Sequence, residues 1–173
     1  TGVTKMSHVN RLFAESGIDS ALHGWLHILM GRMFFPLGML DRWQIMPFLK
    51  TQEGFEVGLS TMVIDIYKTI TGSEGVSTSA SGHNLQHAMD GLNQSRIGVL
   101  LFRENGPPLE QGDWQSAISN EEVLITPAGR LKTAFAKKWD IPLFGVGSHV
   151  SFKNDAGTVC RRIVMFDVRK MTS

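Results

Sequence analysis

The residues that could do chemistry gather first in EGFEVGLST, Glu53 to Thr61. The stretch has glycines, a Ser-Thr pair, and Leu59 at the place where a loop of the pattern G-x-x-x-x-G-K-S-T carries lysine. Such a loop works because backbone N–H groups and a helix N-terminus surround a phosphate, the lysine neutralises charge, and a hydroxyl holds magnesium. Gly58, Ser60 and Thr61 keep their places in the pattern, whereas Glu53 stands at the first glycine and Glu56 adds a carboxylate where phosphates would sit. On the motif alone an ordinary strand-to-helix turn is the simpler reading. Nucleotide hydrolysis also needs an acid at the end of a neighbouring strand to hold magnesium and polarise water. The run GVLLFREN supplies Glu104 there, and Arg161-Arg162 opens another apolar run. An acid ending a strand is also an ordinary solvated edge residue, and an arginine pair an ordinary surface pair.

A second cluster is cationic. EVLITPAGRLKTAFAKKW has two β-prone arms around PAGR and reads as a hairpin over 122–138, with Arg130, Lys132, Lys137 and Lys138 on it or at its base. A β-ribbon bearing cations suits a phosphate backbone; it equally serves as a charged edge that discourages aggregation. His23/His27 and His83/His87 are each spaced i, i+4, as two zinc ligands on a helix would be. Neither pair has a metalloprotease glutamate or an evident third ligand, so helix-surface or partly buried histidines are the plainer reading. Cys160 lies beside two arginines, but no histidine is placed to act as its base.

These residues need a frame. Asp19-Ser20 is a candidate N-cap for a buried helix over Ile18–Phe35, with Leu22, Trp25, Leu26, Leu29 and Met30 at helical spacing. WQIMPFLK, 43–50, is a short apolar run ahead of the glycine-containing loop, and STMVIDIYKTITG, 60–72, has helical length and a terminal glycine. The Ser/Thr/Gly-rich stretch 71–83 reads as a surface loop. RIGVLLFREN, IPLFGVGS and RRIVMFDV are continuous apolar runs of the kind seen in strands buried on both faces. Four such strands with helical material between the early ones predict an α/β sheet with helices on both sides.

Composition bounds the rest. With 173 residues, 42% of them hydrophobic, the chain can bury a full core, and its size favours one domain. A net charge of +1 excludes binding driven by overall charge to nucleic acid or an anionic membrane, so any such binding is local. The single cysteine excludes an internal disulfide and fits a reducing, intracellular setting. The apolar segment WLHILMGRMFFPLGML carries Arg32 and Pro36 and is too short to span a membrane comfortably. No internal repeat is visible.

Taken in order, the blocks LHILMGRMFFPLGMLDRWQIMPFLKTQEGFEVGLSTMVIDIYKTITG, RIGVLLFRENGPPLEQGDWQSAISNEEVLI and IPLFGVGSHVSFKNDAGTVCRRIVMFDV resemble the ATPase domain of superfamily-3 helicases. The type is that of the poxvirus-like primase-helicases of large DNA viruses and some mobile elements, and the resemblance covers roughly residues 20–168. It implies a P-loop NTPase-like fold of AAA+ type, a parallel sheet flanked by helices with an inserted β-hairpin. The chain would be one ATPase-like core, 1–173, cut from a longer replication protein. The implied activity is ATP-dependent DNA unwinding in viral or mobile-element replication, with ATP and magnesium as cofactors and DNA and like copies in a hexameric ring as partners. The resemblance puts Gly58, Ser60 and Thr61 on the phosphate loop, Ser60 and Glu104 on magnesium, and Glu121 on the glutamate of the family's serine-glycine-glutamate segment. It puts Arg130, Lys132, Lys137 and Lys138 on the DNA hairpin, and Arg161 and Arg162 on a neighbour's nucleotide. The departures are Leu59 for lysine, Glu53 and Glu56 for glycines, and Ser148-His149 where an asparagine positions the attacking water. Losing one charged hydrogen bond to phosphate forfeits roughly 1.5–3 kcal/mol. The alternative implied is a catalytically inactive DNA-binding or ring-assembly module.

Overall fold

The apolar runs form the centre of the molecule, because a strand covered on both faces is stable only when each face meets a helix layer. A computed structural model describes residues 7–52, 56–80, 85–102, 111–127, 133–150 and 160–168. In chain order the elements are α1 (Ser7–Glu15), α2 (His23–Arg32), β1 (Met46–Lys50), α3 (Glu56–Thr71), β2 (Val76–Ala80), α4 (Leu85–Leu92), β3 (Ile97–Phe102), α5 (Gln111–Ile118), β4 (Glu122–Ile125), β5 (Phe135–Lys138), β6 (Leu143–Gly147) and β7 (Ile163–Asp167). Five strands make one parallel sheet in the order β2-β3-β6-β1-β7, and β4 pairs antiparallel with β5. This is the α/β, P-loop NTPase-like arrangement that the resemblance implies.

Side chains alternate across the sheet, and two apolar clusters follow. Met46, Phe48, Leu100, Phe102 and Leu143 pack with α4, α5 and the hairpin, around Trp114 and Trp139. On the other face Leu49, Val99, Phe144 and Val146 pack with α1, α2 and α3. Among the described residues no helix is long and apolar enough to cross a membrane.

Three expectations are corrected. The helix expected over Ile18–Phe35 is a short 3-10 turn, Ser20–Leu22, followed by α2 ending at Arg32; Asp19 caps the turn, its carboxylate accepting from Ala21 N–H at 2.9 Å. The stretch 71–83, expected as loop, contains β2. A sheet-edge strand has one ladder partner and one wet side, so a polar Ser/Thr sequence suffices once Val76 is buried beside β3. Helix α3 begins at Glu56, earlier than the Ser60 start expected, so Gly58 to Thr61 are inside its first turns. Its stop is as expected: Gly72 takes φ 83° and donates its N–H to Lys68 O at 2.9 Å.

Candidate functional site

In an open parallel sheet, ligands collect beyond the carboxyl ends of two neighbouring strands whose connections run in opposite directions. Here those strands are β1 and β6. Helix α3 carries the chain from β1 towards β2 at one edge of the sheet, and the chain leaving β6 next joins the sheet as β7, on the other side of β1. Phe102, Gly147, Lys50 and Asp167 pair into one row at the carboxyl edge. The row is drawn tight at Gly147, where an added Cβ would lie 2.1 Å from the Phe102 carbonyl oxygen.

The residues expected to hold phosphate follow directly. Gly58 and Thr61 are exposed, and Ser60 is buried. A Cβ on Gly58 would meet open space, so protein packing does not demand glycine there. Leu59 turns inward. It is 5% exposed and starts the i, i+4, i+8 stripe Leu59–Val63–Tyr67, which packs into the cluster holding Leu49, Phe144 and Val146. At the position where a phosphate loop would present an ammonium, this chain presents a core side chain. The described residues therefore do not fit magnesium-ATP in the usual manner.

Ser148 and His149 follow β6 at the same edge, with His149 exposed and the Ser148 hydroxyl buried without a partner among the described residues. Glu53 and Glu104 lie outside the described residues, as do Arg130, Lys132 and His83. Among the described residues no group of three or more His, Cys, Asp or Glu could hold a metal ion.

The other candidates lie elsewhere. Arg161 and Arg162 sit in a 3-10 turn, Cys160–Arg162, at the amino end of β7 rather than inside the strand. Five strand residues separate them from the carboxyl edge, roughly 16 Å at 3.3 Å each. That is beyond their reach to their own chain's crevice. Arg162 instead donates to Gln44 Oε1 at 3.3 Å.

The hairpin springs from this amino edge too, and its register divides the two described lysines. Lys137 pairs with Val123, which is buried, and its ammonium donates to Asn93 Oδ1 at 2.5 Å. Lys138 pairs with exposed Glu122 on the opposite face and is itself exposed. Glu121 accepts from the Ser116 hydroxyl at 3.2 Å.

The i, i+4 histidines of α2 are structural. His27 Nε2 lies 2.7 Å from Asn10 Oδ1 and His23 Nε2 lies 3.1 Å from Ile18 O, with Phe13 against both rings. Burial, and then the His23 charge, hold His27 below the usual histidine range. Cys160 is exposed and in no disulfide.

Sequence reasoning missed the segment between α2 and β1. Arg32 makes a two-pronged contact with Asp41, Nε to Oδ2 at 2.9 Å and Nη2 to Oδ1 at 2.5 Å, and also donates to Trp43 O at 3.1 Å. The guanidinium holds the Asp41 carboxyl below the usual carboxylate range, chiefly through these hydrogen bonds. The only advance signal was Asp41 two residues before Trp43, an Asx-turn spacing realised as Trp43 N–H to Asp41 Oδ1 at 2.8 Å.

No protein-family model matches the chain, and no curated protein matches it in sequence. Solved structures do. The chain is similar to the "A form apo structure of NrS-1 C terminal region-CTR", with 14% identity and a TM-score of 0.62, over 100% of this chain and 42% of that one. It is also similar to "NrS-1 C terminal region-CTR(305-718)", with 13% identity and a TM-score of 0.58, over 98% and 39%. At that identity the likeness is one of fold, and this chain spans about two fifths of those it matches.

Proposed function

We propose that this chain is the helicase-type core of a DNA-replication protein, of the superfamily-3 primase-helicase kind. In it the core serves as a DNA-engaging, ring-forming module whose ATP binding is weak and whose hydrolysis is slow or absent. The sheet order, the hairpin rising from the amino edge and the fold shared with the NrS-1 C-terminal region support the helicase-type reading. The observation that carries the rest is the burial of Leu59. Backbone N–H groups alone would have to hold a polyphosphate next to Glu53 and Glu56, which oppose it.

A second reading, an active ATPase, is favoured by the placement of Gly58 to Thr61 in the first turns of α3 straight after β1. In that reading Ser60 and Glu104 hold magnesium, Ser148 or His149 sits at the water-positioning place, and Arg161 or Arg162 reaches a neighbouring copy's nucleotide in a hexamer.

The DNA role is tested by salt. Replacing Arg130, Lys132 and Lys138 together by alanine should weaken DNA binding without sequence preference. It should also lower the slope of log affinity against log salt by roughly 0.7–0.9 for each phosphate that is no longer neutralised. An unchanged slope removes the hairpin from the DNA path.

A further inference from the structure

Helix α2 is apolar on both sides. Leu26, Leu29 and Met30 are buried in the cluster that holds Leu49 and Phe144, while Trp25 and Ile28 on the opposite side are each more than half exposed. A helix that is apolar all round is ordinarily covered all round. At 3.6 residues per turn, Gly24, Trp25, Gly31 and Arg32 all fall within about 60° of Ile28, the two glycines on one side of it and Trp25 and Arg32 on the other. A Cβ on Gly24 or on Gly31 would meet nothing within 4 Å, so the packing of the chain itself requires glycine at neither place. Glycine weakens a helix relative to alanine, and two of them on an uncovered face leave room for a second backbone to come close.

The face continues onto the segment between α2 and β1. The Arg32 guanidinium lies 5.5 Å from the centroid of the Trp43 ring and shares a shallow depression with Leu40, and both Leu40 and Trp43 are more than half exposed. The segment is held in place: Leu37 N–H donates to Asp140 O at 2.7 Å, Gln44 Nε2 to Ser119 O at 3.2 Å, and Asn120 Nδ2 to Leu37 O at 3.0 Å. Taking about 150–250 Å² for a large side chain, Trp25, Ile28, Leu40 and Trp43 leave roughly 300–550 Å² of apolar surface uncovered. A standard interface buries about 800 Å² on each partner, about 60% of it apolar, which is roughly 500 Å². These residues alone come close to what a pair of chains needs.

The pattern is also its own complement. When two such helices meet antiparallel about a two-fold axis beside Ile28, the residues three or four places before Ile28 face those three or four places after it on the same side of the contact. Gly24 then faces the partner's Gly31, which lets the backbones close. Trp25 faces the partner's Arg32, whose guanidinium already lies over Trp43, and an indole meeting that cation is attracted to it. Ile28 meets its own copy at the axis. We propose that the outer face of α2, with Leu40 and Trp43 beside it, is the contact by which two copies of this chain form a two-fold dimer. Such a contact is isologous and builds no ring, so it is separate from the head-to-tail contacts that a ring requires.

Sedimentation equilibrium of the whole chain, from about 1 to about 200 µM, should show monomer and dimer with a micromolar dissociation constant, as for a contact at the small end of the standard range. Trp25→Glu and Ile28→Glu should each raise that constant roughly tenfold or more. Gly24→Leu with Gly31→Leu should raise it as much while the thermal midpoint of the monomer holds or rises, a combination that damage to the fold does not give. With Cys160→Ser as background, Ile28→Cys should crosslink to itself. Gly24→Cys should crosslink to Gly31→Cys in a mixture but not to itself, because only the antiparallel register brings those pairs within about 7 Å. A chain that is monomeric throughout that range overturns the proposal, as does a dimer unmoved by the Trp25 and Ile28 variants, or one in which Gly24→Cys links to itself. Hexamers lost in those variants would make the face a ring contact and equally overturn it. Weakened single-stranded DNA binding by Trp25→Ala, at concentrations too dilute for dimers, would give the face to nucleic acid instead. The salt slope of the hairpin variants is read at those same concentrations, so either reading can fail without the other.

Discussion

Leu59→Ala separates a core side chain from a phosphate-loop relic. Truncating a buried leucine costs about 2–5 kcal/mol, through reduced burial and the cavity left behind. Leu59 lies at the end of the first turn of α3, beside the crevice, where the surroundings can relax towards solvent, which places it near the lower end, about 2–3 kcal/mol. For a domain of this size each kcal/mol moves the melting midpoint by about 2–4 °C, so the midpoint should fall by roughly 4–12 °C. Urea unfolding followed by circular dichroism measures the free energy, and an unchanged m-value shows that the folded state is otherwise intact. The companion variant is Glu53→Gly, Glu56→Gly, Leu59→Lys. Its lysine keeps an aliphatic stem but must carry its ammonium out to water, so it should lose stability of the same order. In return one charged hydrogen bond to phosphate, about 1.5–3 kcal/mol, should tighten magnesium-ATP binding roughly ten- to hundredfold by calorimetry, and the gain should require Ser60. If Leu59→Ala unfolds within about 0.5 kcal/mol of the parent, the leucine is a surface residue and the argument from its burial collapses. Tight magnesium-ATP binding by the unaltered chain would be equally damaging.

Two further outcomes follow from particular atoms. His27 is held below its ordinary value of 6.5 by burial first, so as pH falls the unfolded chain binds its proton before the folded one does. The resulting stability is present above pH 6.5 and is lost as pH drops below it; urea midpoints taken from about pH 7.5 to about 5.5 should fall, and His27→Gln should flatten that fall. An identical pH profile in the variant would clear His27 of the effect. Gly147→Ala sets a Cβ 2.1 Å from the Phe102 carbonyl oxygen, a backbone atom, and should cost about 3 kcal/mol or prevent folding. Gly58→Ala meets open space inside a helix and should instead stabilise by about 0.5–1 kcal/mol. Equal effects at the two positions would contradict the packing described.

What was legible in the sequence was whatever depended on neighbours along the chain. Ile97–Phe102 is uniformly apolar because both faces of β3 are covered, and that run announces itself. The arms of the hairpin and the glycine stop of α3 are similarly local. Strand β2 was not legible: its Ser-Thr sequence is tolerated by an edge position, which only the assembled sheet defines. The anchoring of the segment between α2 and β1 was out of reach for a stronger reason, since Gln44 meets Ser119 across 75 residues and Leu37 meets Asn120 across 83. Leu59 is an intermediate case. Aligning it to a motif by counting assigned it a phosphate-facing place, but the stripe Leu59–Val63–Tyr67 was already in the sequence at i, i+4, i+8 and points it to the core.

That stripe also explains how a phosphate loop can be surrendered without loss of the fold. A lysine at position 59 would contribute its roughly 1.5–3 kcal/mol only while a nucleotide is bound. A leucine there contributes a similar amount, about 1.5–3 kcal/mol of burial, at all times. The exchange therefore leaves the sheet more stable when empty and makes the crevice at the carboxyl edge a poorer place for polyphosphate. Nothing in it touches the hairpin arms, whose buried residues Val123 and Ile125 pack with α4 and α5 in a cluster that contains no residue of α3. On the proposed reading, a change at the carboxyl edge therefore leaves intact the packing of the hairpin, the element by which a strand of DNA would be held.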